Sequence, residues 1–221
     1  MYIILRVLGF LTSGFLKVKG FKDFPKNKKS IVVIANHGGL WAPLVLIMIF
    51  WPRLLFHPIK YFPWHTPDKG NYDKWWWALF NSRFVLVPRG KYRSERDEAI
   101  KKIITLIKNG HNVIIFPEGG RTSKGTSFIY SSRLGKRMRH FKSGIGQILS
   151  EISCYIVPVW VDGEEQVLPI GKVFPRLHRR MTITGGTPFF HKQSPDGSKE
   201  TIQKICKNLE QVVLEVADQG E

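Results

Sequence analysis

The chain has 221 residues, 43% of them hydrophobic, which suits one α/β domain with a full core and leaves little room for a second. Its 34 Lys and Arg against 17 Asp and Glu give a formal charge of +17, a surface that attracts phosphate head groups, acidic carrier proteins or nucleic acid. Cys154 and Cys206 stand far apart and form no CxxC pair, and the seven histidines show no metal-ligand spacing, so neither a disulfide framework nor a metal site is expected.

Residues 1–16 (MYIILRVLGFLTSGFL) are mostly apolar and interrupted by Arg6. They are too short to span a bilayer comfortably. No small-x-small cleavage site follows, and Lys17, Lys19 and Lys22 do. An in-plane or shallowly inserted helix fits this pattern, with an ordinary core helix as the other reading. Residues 16–21 (LKVKGF) alternate and turn at Gly20, so 1–24 read as a membrane-associated helix with a strand lead-in, ahead of a main domain over 25–221.

Residues 30–35 (SIVVIA) form a short β-branched run of the kind buried in parallel sheets, and the run ends at Asn36-His37-Gly38-Gly39. Pro43 suits the first turn of a helix reaching Phe50. The segment 51–77 is dense in aromatics and broken by four prolines. Trp75, Trp76 and Trp77 are consecutive; neighbours on a helix differ by about 100° in direction, so at least one must meet lipid, substrate or a partner. Residues 84–88 (FVLVP) read as a second buried strand. Residues 94–107 read as a helix, with Ser94 as its cap, Asp97 at the capping-box position, Ile100, Ile103, Ile104 and Ile107 on one face, and Gly110 as its stop. Residues 112–116 (NVIIF) read as a third strand ending at Pro117-Glu118-Gly119-Gly120-Arg121. A basic loop over 123–142, a helix over 143–152, a strand over 155–161, a further strand over 181–184 and an amphipathic helix over 201–216 complete the pattern.

Strands alternating with helices predict an α/β fold, a mostly parallel central sheet covered by helices on both faces and preceded by the N-terminal membrane-associated helix. In such sheets chemistry gathers beyond the carboxyl ends of the strands, where His37, Arg89, Glu118 and Arg121 all fall. The glycines of FPEGGRT at 116–122 allow close backbone approach, and a guanidinium fork such as that of Arg121 matches phosphate.

Four ordered blocks carry a resemblance: Ile34-Ala35-Asn36-His37 with Pro43, Val87-Pro88-Arg89-Gly90 before a helix, Phe116-Pro117-Glu118-Gly119-Gly120-Arg121-Thr122, and Ile156-Val157-Pro158-Val159 preceded by Phe141-Lys142-Ser143-Gly144. In order and separation they resemble the glycerolipid acyltransferase family, which includes the enzymes that make phosphatidic acid from lysophosphatidic acid. The resemblance implies that His37 is a general base on an acceptor hydroxyl, which attacks an acyl thioester directly. It implies that Arg89 and Arg121 hold the acceptor phosphate, that Gly119 belongs to the same binding loop, and that Glu118 binds or orients. It implies no cofactor; acyl-CoA or acyl-acyl carrier protein is the co-substrate. Backbone N–H groups near Gly38 and Gly39 would face a developing oxyanion.

In the family the base is paired with an Asp after four intervening residues. Here that position is Ala42, between Trp41 and Pro43. A methyl group accepts no hydrogen bond from imidazole. Three readings stand: a disabling Asp-to-Ala substitution, a naturally non-catalytic lipid-binding relative, or a dyad rerouted through another carboxylate, for which Asp68 and Asp73 are the nearest in sequence. The first two imply lipid binding with poor turnover. The expected partners are an anionic membrane surface, a lysophospholipid acceptor and the thioester donor. The basic loop with Arg133, Lys136, Arg137, Arg139 and Lys142 suits an anionic carrier, or is a solvated charge run. Trp75, Trp76 and Trp77 are candidates for membrane or acyl-chain contact. No helix-turn-helix, zinc spacing or RNA-binding aromatic signature supports nucleic acid. The expected location is peripheral or monotopic on the cytoplasmic face of a membrane.

Overall fold

The computed structural model describes residues 16–219 apart from 26–27, 29, 40–41, 51–53, 55–56, 58–60, 72–82, 89, 91–92, 168, 170–175, 177–178 and 195. The N-terminal segment 1–15, Arg89, and the Trp75, Trp76 and Trp77 run therefore lie outside the described residues.

Five consecutive buried residues, Ile31–Ala35, make β2 the centre of the sheet. A strand apolar on both faces must be covered on both, and β2 is flanked by parallel neighbours on either side: β4 (Val113–Ile115) and β7 (Cys154–Asp162). The order runs β1 (Leu16–Lys19), β8 (Met181–Gly185), β7, β2, β4, β3 (Trp64–His65), with β9 (Phe189–His191) also on β7. β1 pairs with β8 and β3 with β4 in parallel; β8 and β9 run antiparallel to β7. The sheet is thus mixed and mostly parallel. Residues 16–19, grouped in the sequence with the N-terminal helix, are one of its strands.

Pro158 stands inside β7, where a missing N–H would normally break a ladder. Its carbonyl accepts from Gly186 N–H at 2.9 Å, so its main-chain groups face the edge shared by β8 and β9. β9 pairs with 154–156 and β8 with 159–162. Pro158 occupies the gap between them, where no strand asks for its donor.

One face of the sheet is covered by the long helices, labelled α2 (Arg93–Lys108), α3 (Ser143–Ser150) and α5 (Lys199–Asp218) in chain order. The other is covered by α1 (Ala42–Leu46), the 3-10 turn Ile47–Phe50, and Phe24 and Leu54. α3 crosses α5 closely: a Cβ on Gly146 would lie 2.6 Å from the Ile202 carbonyl, so only glycine permits the approach. α5 starts as its sequence requires, with Ser198 Oγ accepting from Thr201 N–H at 3.2 Å, and buries Leu209, Val213 and Val216. Fully burying each such side chain contributes about 2 kcal/mol.

Several expectations are corrected. Residues 84–88 form no continuous strand; they touch the β3 segment through isolated bridges, His65 with Phe84 and Asp68 with Val87. Ser94 does not cap α2, which already includes Arg93, although the four isoleucines are buried as expected. The segment 123–142 is not a loop throughout: β5 (Phe128–Tyr130) and β6 (Arg137–Arg139) make an antiparallel hairpin. β3 and β9, two and three residues long, are too short for a period to be visible.

His65 is buried under Phe62 and Phe84, and among the described residues neither ring nitrogen has a hydrogen-bond partner. Burial holds its imidazole down at about 4. The unfolded imidazole takes its proton near 6.5, well above the folded one, so the stabilisation is complete above about pH 6.5 and is lost as the pH falls through the folded value. The loss reaches about 3 kcal/mol at the acid end. The melting temperature should drop between about pH 7 and pH 4.5, and His65→Phe should shrink that drop. A wild type and variant whose difference is the same at every pH would refute it.

Candidate active site

The end of β2 is tied to the end of β7 by a single side chain. Buried Asn36 donates to the Val161 carbonyl at 2.9 Å and accepts the Val161 N–H at 2.7 Å. His37 leaves the sheet immediately after this clamp, between the carboxyl ends of β4 and β7. Its ring stacks on Phe116, the residue that follows β4, with centroids 4.7 Å apart and planes tilted by 33°.

Glu118 joins the two loops. Its side chain is fully buried. Oε1 accepts the His37 N–H at 2.7 Å and Oε2 the Arg139 N–H at 2.9 Å. Thr122 Oγ1 stands 2.9 Å from both oxygens, and the Thr122 N–H returns to the His37 carbonyl at 2.8 Å. Burial pushes the carboxyl up from its usual range, against the pull of those N–H groups, the Thr122 hydroxyl and the Arg139 charge. A carboxylate with no exposure reaches no acceptor phosphate. Of the two roles expected of Glu118, burial allows the orienting one.

Arg121 is half-buried and leads into the short turn Thr122–Lys124. Because Thr122 is bonded to the His37 main chain, the loop bearing the guanidinium is adjacent to the loop bearing the imidazole. Gly119 has φ +65°, and a Cβ there would press on the Lys142 stem at 3.0 Å, so the turn requires glycine.

Ala42 opens α1 and is fully buried. Its N–H donates to Oε1 of Glu164 at 2.8 Å. Glu164 is the first residue of α4 (Glu164–Val167), just past the carboxyl end of β7, and its relative exposure is only 3%. Its carboxylate fills the space over the two motif glycines: a Cβ on Gly38 would lie 2.8 Å from Oε2, and one on Gly39 2.9 Å from Oε1. The sequence reading missed this residue. The signal was present, because an acid directly after Asp162-Gly163 ends the strand beside β2. The carboxylates nearest in sequence fare worse: Asp68 accepts the Gly70 N–H within its own turn, and Asp73 lies outside the described residues.

The basic hairpin spends part of its charge internally. Lys136 pairs with Asp162 at 2.7 Å, Arg133 bonds to Asp218, and Arg137 lies over the Phe128 ring. This favours a structural use of those charges over a free carrier-binding row. Cys154 and Cys206 are buried free thiols, and burial pushes the Cys154 thiol up to about 12.

The acyltransferase family model matches residues 15–162. The chloroplastic 1-acyl-sn-glycerol-3-phosphate acyltransferase LPAT1 of Arabidopsis thaliana is 25% identical over 195 residues, covering 88% of this chain and 49% of that protein. The chloroplastic BAT2 enzyme of the same name from Brassica napus is 26% identical over 192 residues, covering 87% and 50%. The chain thus spans about half the length of the curated relatives it matches. The crystal structure of the 1-acyl-sn-glycerophosphate (LPA) acyltransferase PlsC from Thermotoga maritima shares the fold, with TM-score 0.61 at 20% identity over 97% of this chain and 76% of that one.

Proposed function

Because this chain belongs to the acyltransferase family, we propose that it moves a fatty acyl group from an acyl thioester to the hydroxyl of a lysophospholipid or glycerol-phosphate acceptor, in phospholipid synthesis. The observation that supports the reading is the bonding of the His37 loop to the Glu118–Thr122 loop, which brings the loop that carries His37 against the loop that carries Arg121. Lysophosphatidic acid is the acceptor favoured by the names of the relatives.

In the reaction, Nε2 of His37 takes the acceptor hydroxyl proton as the oxygen attacks the thioester carbonyl. The C–O bond forms and a tetrahedral oxyanion collapses. The C–S bond breaks, and the departing thiolate takes the proton from the imidazolium. Arg121, with Arg89 from the neighbouring block, holds the acceptor phosphate and so places the hydroxyl. The donor is acyl-CoA or acyl-acyl carrier protein, and no cofactor enters the chemistry. The enzyme works at an anionic membrane surface, peripheral or monotopic on its cytoplasmic face, with the segment 1–15 and Trp75, Trp76 and Trp77 in contact with lipid. Among the described residues no helix is long and apolar enough to cross a membrane.

Conversion of oleoyl lysophosphatidic acid and oleoyl-CoA into phosphatidic acid by the purified chain tests the reading, and absence of product with either donor type would reject it. Ala42 favours one rival, a non-catalytic lipid-binding protein on the same scaffold, which binds lysophosphatidic acid vesicles without turnover. On the motif segment alone, a missing acid implies a form impaired by several orders of magnitude. Which of these holds depends on whether another carboxylate serves His37.

Arg121→Ala tests the phosphate role. Losing a charge-assisted contact of about 1.5–3 kcal/mol should raise KM for lysophosphatidic acid by roughly tenfold to a hundredfold. Transfer to monoacylglycerol, which lacks the phosphate, should be unchanged. An equal loss with both acceptors would remove Arg121 from phosphate recognition.

A further inference from the structure

We propose that Glu164 takes the place of the missing motif acid, its carboxylate orienting the His37 imidazole and stabilising the imidazolium; the proposal rests on the acyltransferase reading above. The motif position itself offers a methyl group, yet the space around it holds a carboxylate. Oε1 of Glu164 stands 2.8 Å from the Ala42 nitrogen, so the acid lies within a few ångström of where an aspartate at that position would carry its own. It arrives from the start of α4, just past the neighbouring strand β7, instead of from α1.

Three features fit this substitution. First, Gly38 and Gly39 are the residues that admit the carboxylate, since a Cβ at either would stand under 3 Å from one of its oxygens, and Gly38 directly follows His37. Second, Nδ1 of His37 and Oε2 of Glu164 are both shielded from solvent, the condition under which an imidazolium–carboxylate pair is strongest, and no hydrogen bond joins the two atoms in the resting structure, so the pairing forms as the site takes up charge. Third, Ala42 is itself fully buried against this carboxylate. An acid at both 42 and 164 would put two like charges in one dry space, so one of the two would be held protonated and the site carries a single ionised acid. Glu118, the other buried acid near His37, is occupied by main-chain donors of His37 and Arg139 and the Thr122 hydroxyl. Among the described residues, the charged groups on the loops that flank His37 include Glu118 and Arg121 beyond β4 and Glu164 beyond β7.

During transfer the pairing leaves the atom balance as written above. Nδ1–H of His37 donates to Glu164 as the imidazolium forms, while Nε2 alone receives the hydroxyl proton and returns it to the thiolate. Glu164 is thus a positioning residue that acts through His37.

The test compares full-length wild type, Glu164→Gln, Ala42→Asp and the double variant Glu164→Gln/Ala42→Asp, with oleoyl-CoA and oleoyl lysophosphatidic acid in mixed micelles. Glutamine keeps an oxygen for the Ala42 N–H and loses only the charge. For Glu164→Gln, kcat should fall about a thousandfold or more while KM changes by less than about threefold. The double variant should recover at least about tenfold of that loss. Without the negative charge the His37 imidazolium loses its stabiliser. The acid limb of the rate profile, and the His37 titration followed by NMR without substrate, should therefore move to lower pH by about one unit. A residue that only shaped the loop would change stability and KM without that shift or that rescue. Where Glu164→Gln fails to fold, wild-type His37 decides alone: the pairing requires it to titrate above about 6.5.

A Glu164→Gln enzyme with near-wild-type kcat and an unmoved His37 titration overturns the pairing and leaves the acyltransferase reading standing. So does an inactive wild type beside an active Ala42→Asp enzyme. If no form transfers acyl groups while the titration still shifts as described, the pairing is supported and the acyltransferase reading is what fails.

Discussion

On the proposed function, His37→Gln should reduce kcat/KM for acyl transfer by roughly four orders of magnitude while the chain remains folded and still binds lysophosphatidic acid vesicles. The expectation follows from where the ring sits. His37 is launched by the Asn36 clamp at the end of the central strand, rests on Phe116, and has its main chain bonded on both sides by Glu118 and Thr122. None of those main-chain bonds depends on the imidazole, so glutamine leaves the loop in place. What disappears is the group that accepts the hydroxyl proton. A positioned base is worth about a hundredfold to ten-thousandfold, and in His–carboxylate systems its removal lies at the upper end. Product formation and vesicle binding measured on the same preparation check it. Residual transfer within tenfold of wild type would mean that another group is the base.

Glu118→Ala has the largest expected effect on stability. The carboxylate is fully buried and accepts two main-chain N–H groups, those of His37 and Arg139, with the Thr122 hydroxyl against both oxygens. Truncation leaves two half-buried donors without their acceptor, each costing about 1–3 kcal/mol, and opens a small void. A loss of about 4 kcal/mol is expected, and a fall in melting temperature of about 10 °C for a chain of this length. Because the lost bonds join the base loop to the arginine loop and to β6, activity should fall further than stability alone explains. Glu118→Gln should be milder, since its amide oxygen satisfies one donor while its NH₂ group faces the other. Urea melts of the three proteins, with transfer rates at a temperature where all are folded, check this. An alanine variant as stable as wild type would show that water replaces the carboxylate.

The central elements were legible because their signals are local. Residues 31–35 are a run of β-branched and apolar side chains, and such a run is stable only when covered on both faces; it became the middle strand of a mostly parallel sheet. α2 and α5 were legible over 94–107 and 201–216 through isoleucine and valine spacing, and the structure extends them to sixteen and twenty residues. The short elements did not. β3, β5, β6 and β9 have two or three residues each, and their existence is settled by the partner across the sheet or hairpin. The segment 84–88 looked like a strand for its composition, but lying beside the short edge strand β3 it finds partners at two isolated bridges.

The site divides the same way. Sequence alone determined the chemical inventory: an imidazole after the first long strand, a guanidinium after FPEGG, an acid missing at position 42, and the family those blocks resemble. All of this is encoded within windows of a few residues, where spacing along the chain controls spacing in space. Only the tertiary structure decided which groups lie together. Glu118 faces inward to bind main chain, and Glu164, 127 positions beyond His37 in the chain, comes to lie on Gly38 and Gly39 because β2 and β7 are neighbours in parallel register. The physical reason is that parallel pairing brings the carboxyl ends of distant strands together without any local sequence signal, so the acid a site needs can be carried by a strand far from the base it serves.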